Sequence, residues 1–295
     1  MKKASSKRIK SIEELLAAVR VDYRTWNTET YPWFRGELAR TATPLLPKLF
    51  RERHSENKLL QHFRMKSPAL GLGQTPARDH TDQWLFLAQH VGVPTRLLDW
   101  TEGLLVALFF ALHRRDGKPR DGDEGSCVWM LDPVALNQLS STEKIAANDF
   151  PLTWFSGEAR PARRGEVAEW FGLAAAKKGG KATAFAKIRR AMRPNFGNAN
   201  IRRAWGELGQ GTDVPVAIHP TSIHLRVTAQ KSCFTIHGKK EAPLPHLIGE
   251  RVLRSYVIDP KSAGRMRADL RLTGISYSTI FPDLDGLAVD LGSWF

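Results

Sequence analysis

The run Leu104-Leu105-Val106-Ala107-Leu108-Phe109-Phe110-Ala111-Leu112 constrains this chain more than any other segment. As a helix it is apolar on every side, so it has no face to turn to water. Such a helix has to be enclosed by other elements, which demands a core with more than one layer. At 9 residues it falls well short of the roughly 20 that span a bilayer, so the expected enclosure is protein and no membrane partner is expected. The chain is large enough to provide it, with 295 residues of which 42% are hydrophobic. That suits one large domain, or one domain carrying a substantial insertion.

Two cysteines, Cys127 and Cys233, sit in apolar, strand-like contexts. They read as buried small hydrophobes in a reducing compartment, not as a disulfide framework. Neither has a second Cys or a His at metal-ligand spacing, so no metal is expected. The Lys-rich start leads into an amphipathic stretch and not an apolar signal segment, which points to the cytoplasm.

Charge narrows the partners. The net charge is +14 and the pI is near 10.0, so a polyanion is the natural counterpart: nucleic acid, a nucleotide cofactor, or an acidic protein target. The composition turns Ala-, Lys- and Arg-rich over about 148–205, which reads as a basic helical insertion or a mobile arm. Within it, 177–203 holds nine Lys/Arg and no acid. Lys177, Lys178, Lys181, Arg189, Arg190, Arg202 and Arg203 are the candidate nucleic-acid contacts.

Residues 1–10 read as a basic tail. A helix should follow from Ser11, with Glu13 and Glu14 in its first turn and Leu15, Leu16 and Val19 as its apolar stripe. Residues 33–36 read as a short strand ending at Gly36, and helices are expected over 54–63 and 82–90. An extended segment over 95–100, the apolar helix over 102–113 and a strand over 125–131 come next. Beyond the insertion, 214–218, 223–229, 233–236 and 252–258 read as strands. A helix over 263–272 and a turn and helix over 278–291 close the chain. The order points to an α+β fold, a mixed and largely antiparallel sheet packed by helices. The expected division is a tail and first helix over 1–20 and one domain over 21–295.

Three places carry polar groups suited to chemistry. Arg35, at a strand end before Gly36, offers a planar fork for phosphate or carboxylate, and the glycine would let a ligand approach the backbone. The alternative is a structural Arg paired with an acid such as Asp99. The segment 89–101 is dense in polar groups between apolar helices. There Thr95, Arg96, Asp99, Trp100 and Thr101 are candidate binding residues, Asp99 and Thr101 as helix caps and Trp100 as a stacking surface. Their alternative is a capping turn with a core Trp. His90 reads as a general base or as a structural residue. Gln230, between two expected strands, can orient a ligand hydroxyl but cannot act as a base. No phosphate-binding loop, dinucleotide fingerprint, zinc-protease motif or nucleophile elbow occurs.

Four segments carry a family resemblance. Trp33-Phe34-Arg35-Gly36, the stretch from Gln89 on to Thr101 with Ala107 to Ala111, Arg226 to Phe234, and Phe281-Pro282-Asp283-Leu284-Asp285-Gly286-Leu287-Ala288 together resemble the FRG-domain family. The resemblance spans roughly 31–291 and implies a bacterial or phage-derived toxin or anti-phage defence protein, with a possible antitoxin partner. A second similarity is to the arginine–serine–glutamate class of ADP-ribosyltransferases. It implies an ADP-ribosyltransferase-like core and NAD as substrate. Arg35 would contact NAD, 95–111 would form the Ser/Thr strand and following helix, and a later strand would supply a Glu. Gln230 stands near where that Glu belongs, with Glu241 or Glu250 as replacements. The reading that follows is NAD-using ADP-ribosyl transfer or NAD cleavage with Arg35, Gln230 and Glu250 as catalytic candidates. The other class of reading is a non-catalytic nucleic-acid-binding module.

Overall fold

The structure is a computed structural model that describes residues 8–26, 31–38, 44–70, 75–76, 81–113, 126–142, 195–196, 213–220, 225–238 and 240–292. The basic contacts expected between Lys177 and Arg203 lie outside these residues.

Helix α1 (Ile12–Thr25) begins where Ser11 accepts a hydrogen bond from the Glu14 N–H, at 3.2 Å. Leu15 and Val19 are buried, while Leu16 faces outward, so the apolar stripe is narrower than the sequence suggested. Residues 8–10 do not form a tail. Ile9 is buried and pairs in parallel with Ile258, accepting from Asp259 N–H and donating to Val257 O, both at 2.8 Å.

The remaining helices and strands follow in order. They are β1 (Trp33–Glu37), α2 (Lys48–Arg51), α3 (Glu56–Leu70), α4 (Thr81–His90), β2 (Leu97–Thr101), α5 (Leu104–Leu112), β3 (Cys127–Leu131) and α6 (Pro133–Thr142). Then come β4 (Asn195–Phe196), β5 (Val216–His219), α7 (Leu225–Ala229), β6 (Ser232–Ile236), α8 (Leu244–Leu247) and β7 (Leu253–Val257). The last helices are α9 (Ala263–Leu272), α10 (Tyr277–Ile280) and α11 (Leu284–Gly292). The fold is α+β.

The sheet order is β4-β5-β6-β2-β1-β3-β7. Every pairing from β5 to β7 is antiparallel, and the two-residue β4 adds in parallel at the edge. The first half of the chain supplies the sheet centre, and residues after 213 supply most of both flanks.

Strand alternation sends successive side chains to opposite faces, and the core divides accordingly. On one face Phe34, Val128 and Met130 pack with α5, with Leu15 and Val19 of α1 and with Met266 and Leu270 of α9. On the same side Leu97, Phe234 and Ile236 pack with Leu60 of α3 and with Leu85 and Ala88 of α4. The other face gathers Trp33, Leu98, Trp100, Trp129, Leu131 and Cys233 under Leu136 of α6 and Leu244 of α8. Asp132 accepts from the Val134 and Ala135 N–H groups, which starts α6.

Helix α5 is central, as its composition requires. It lies so close to β1 that a Cβ built on Gly36 would stand 1.9 Å from the Ala107 carbonyl oxygen and 2.4 Å from the Ala111 nitrogen. The glycine therefore admits a helix backbone, not a ligand.

One expected strand is a helix. Residues after 224 form the single turn α7, because Gln230 N–H returns to the Arg226 carbonyl at 2.9 Å. Lys231 then takes φ 47°, a left-handed conformation that reverses the chain into β6.

Two stability outcomes follow from the α5 packing. Leu108 has no exposed surface, and Leu108→Ala should cost about 2–5 kcal/mol in urea denaturation. Gly36→Ala should cost at least ~1–3 kcal/mol, since neither clashing atom belongs to a side chain that can turn away.

Candidate functional site

The sheet has one weak seam at its centre. Strands β1 and β3 share five register pairs, as do β2 and β6, whereas β1 and β2 share one, Phe34↔Thr101. Beyond that pair the backbones no longer satisfy one another. The Arg35 guanidinium fills the vacated position, donating from Nη1 to the Asp99 carbonyl at 2.7 Å. A side chain thus replaces a missing rung of the ladder.

Arg35 lies between two carboxylates. Its Nε is 3.6 Å from Glu37 Oε1, and its Nη1 is 3.8 Å from Asp99 Oδ2. Glu37 shares Arg35's strand face, two residues on, and is held independently. Its Oε2 accepts from Trp129 Nε1 at 2.9 Å, and its Oε1 accepts from Leu45 N–H at 3.2 Å.

Asp99 occupies an unusual position for an acid, the middle of a central strand. Its neighbours Leu97, Leu98, Trp100 and Thr101 are buried, but its own side chain is 55% exposed. Alternation puts it on the face with Leu97 and Thr101, where α5 and its neighbours cover one side and α3 and α4 cover the other. Gln89, in the last turn of α4, donates from Nε2 to both carboxylate oxygens, at 3.0 and 2.9 Å. Gln89 Oε1 in turn accepts from the Thr95 hydroxyl. Thr95 is fully buried, and its oxygen accepts from Leu97 N–H at 3.1 Å.

The local chain path explains how Gln89 meets Asp99. Gly92 takes φ 87°, which only glycine adopts freely. Val93 N–H returns to the Ala88 carbonyl at 2.9 Å, ending α4 in the manner of a left-handed helix cap. The chain then reverses through Pro94 into β2.

Other candidates serve as structure. Arg96 donates from Nε to Glu56 Oε2 at 2.6 Å and from Nη1 to the His237 carbonyl at 3.2 Å, tying α3 to the end of β6. Trp100 is buried, and its Nε1 donates to Thr235 Oγ1 at 3.0 Å, so its ring faces the core and not a ligand. Asp99 does not cap α5; Thr101 does so in part, its oxygen accepting from Gly103 N–H at 3.0 Å.

Thr101 also donates its hydroxyl to the Gln230 carbonyl at 2.6 Å. Gln230 therefore adjoins β2, but its amide donates to the Ile280 carbonyl at 3.2 Å. Arg226 pairs with Asp283, donating from Nε at 2.8 Å, and its guanidinium lies over the Phe281 ring. The Gly286 N–H and Arg226 hold the Asp283 carboxyl below its usual range. Glu250 is exposed in the turn before β7, two strands from β1 in the sheet order.

Three residues here have roles that the sequence did not mark. Gln89 was in view without a role. Glu37 is marked only by its i+2 spacing from Arg35. His237 carried no signal at all. It is fully buried and neither ring nitrogen has a hydrogen-bond partner. Burial, then the Arg96 and Arg35 charges, lower its pKa to about 3.

Residues 30–120 match the family model of the FRG domain. This stretch is an FRG domain. It contains β1, the α4–β2 turn and α5, and hence Arg35, Gln89, Thr95, Asp99 and Gly36. No curated protein and no solved structure matches the chain. Among the described residues no three His, Cys, Asp or Glu side chains are grouped to hold a metal ion, and no helix is long and apolar enough to cross a membrane.

His237 gives the site a pH signature. Its folded pKa of about 3 lies below the ordinary 6.5, so between those values the unfolded chain binds a proton that the folded chain does not. Stability should therefore rise with pH across that window, by at most about 1.4 kcal/mol per unit from this group. His237→Leu should flatten the slope between pH 5 and 6.5 in urea midpoints, and an unchanged slope would remove His237 as its source.

Proposed function

We propose that this FRG-domain chain acts on NAD, transferring its ADP-ribose or cleaving it, as a toxin or anti-phage defence protein. One observation carries the reading. Arg35, the 95–101 segment and Gln230 are far apart in sequence, yet they fall on or next to β1, β2 and β6, three consecutive strands of the sheet. That is the arrangement expected if an Arg, a Ser/Thr strand and a later strand surround one dinucleotide.

Arg35 is the anion-binding group. It keeps N–H donors beyond the one given to Asp99, and its planar fork suits a phosphate. In the reaction, the bond between the ribose C1′ and the nicotinamide nitrogen breaks. Nicotinamide leaves with the electron pair, the oxygen of water or of an acceptor group bonds C1′, and its proton passes to solvent. The site's contribution is to hold the ribose and phosphates still, which lowers the entropic part of the barrier. Gln230 offers an amide where the resembled enzymes use a carboxylate, and its side chain is engaged by Ile280.

The net charge of +14 supports a second reading, a nucleic-acid-binding module of such a system. Its affinity should fall steeply with salt as phosphate counterions are released. Replacing Arg189, Arg190, Arg202 and Arg203 together by Ala should flatten that dependence, and unchanged binding would remove 177–203 as the contact.

The deciding measurement is nicotinamide release from NAD, with the purified chain alone and with cell extract as a source of acceptor. Arg35→Ala should abolish release with the circular dichroism spectrum retained. Arg35→Lys should recover little, because an ammonium keeps the charge and loses the fork. A wild-type chain that releases no nicotinamide in either setting rules out the enzyme.

A further inference from the structure

We infer that Asp99 is the ribose-binding group of this site, set by Gln89, and that it holds the vicinal hydroxyls of a nucleoside diphosphate whose phosphates meet Arg35. This rests on the nucleotide reading above and assigns the ADP half of the dinucleotide to the seam between β1 and β2.

The Asp99 carboxylate has unused hydrogen-bonding capacity. An ionised carboxylate has about four acceptor positions, two on each oxygen. Gln89 Nε2 lies 3.0 and 2.9 Å from the two oxygens, and so engages one position on each. Capacity remains on each oxygen, with Oδ2 also 3.8 Å from Arg35 Nη1 and the side chain 55% exposed. Two acceptors side by side on one rigid group match two hydroxyls on adjacent carbons. An acidic side chain receiving ribose hydroxyls is a recurrent solution in dinucleotide sites of other folds.

The carboxylate is also held ready. Leu97 N–H fixes the Thr95 oxygen, the Thr95 hydroxyl fixes Gln89 Oε1, and the Gln89 amide fixes Asp99. This line runs outward from a fully buried hydroxyl to a carboxylate that is 55% exposed. A salt bridge for stability alone would place the guanidinium directly on the carboxylate. Arg35 instead gives its short bond to the Asp99 backbone carbonyl and stands 3.8 Å from Oδ2. Asp99 thus keeps acceptor positions, and Arg35, whose Nε is buried, keeps donors on its terminal nitrogens beyond the one given to the Asp99 carbonyl. A phosphorylated ribose carries the complement of each, an anionic oxygen and a diol. Gln89 is a positioning residue: it touches Asp99 and not the ligand.

The test compares two probes, ADP and 2′,3′-dideoxy-ADP, titrated by calorimetry into the full chain. Wild type should prefer ADP by about tenfold or more, the range for hydrogen bonds to a charged acceptor. Asp99→Asn should bring the ratio close to one while leaving dideoxy-ADP affinity near wild type. Gln89→Met, which keeps the length and removes the amide, should lower the ratio several-fold. A merely structural defect would weaken both probes alike and leave the ratio unchanged. Equal wild-type affinity for the two probes, no binding of ADP, or an unchanged ratio in Asp99→Asn each overturns the proposal. The outcomes are separable from those of the enzyme reading. NAD cleavage with an unchanged ratio in Asp99→Asn sinks the ribose assignment alone, and a lost ratio in Asp99→Asn with no nicotinamide release sinks the enzyme alone.

Discussion

The contact on which this structure depends is backbone against backbone, where α5 crosses β1 at Gly36. A helix with no polar face gains most when it is enclosed on all sides, and the missing side chain at residue 36 lets it lie against the central strand. That approach fixes which face of the sheet carries Phe34, Val128 and Met130. By alternation it sends Arg35 and Glu37 to the opposite face, beside Trp129. The site's first charged group is therefore placed by packing, before any question of a ligand arises.

The second determinant is an omission. Because β1 and β2 share one register pair, a carbonyl at the sheet centre lacks a strand partner, and Arg35 supplies the donor. That bond, 2.7 Å long, holds the guanidinium in the gap with no ligand present. Glu37 and Asp99 flank it at ion-pair distance, and its side chain is 21% exposed.

Much of this was readable in the chain, for physical reasons that can be named. The apolar run over 104–112 allowed one environment, and the helix expected over 82–90 is present as α4. The nearness of Arg35 to Asp99 was among the sequence's alternatives, while the part Gln89 plays in it was not. Other features were not, because they depend on long-range register. Leu225 to Ala229 alternates like a strand, but the Arg226–Asp283 pair, 57 residues apart, accompanies a turn of helix there. Gly36 read as a ligand approach because the sequence does not say which backbone will come near. Arg96 and Trp100 looked available to a ligand because the buried Glu56 and Thr235 that engage them are far away in sequence.

The position of β2 between β1 and β6 sets a schedule for the chain as it is made. Half of the Asp99 strand's neighbours come from residues 33–37, which precede it, and half from 232–236, which follow more than 130 positions later. The turn before β6 is in turn braced by residues made later still, Gln230 by Ile280 and Arg226 by Asp283. A ribosome-bound fragment that already contains every residue of the family-matched segment still lacks the strand that would align β2. Alignment of β2 therefore waits on residues made long after the matched segment, and a fragment ending near residue 120 would leave the β6 edge of β2 open.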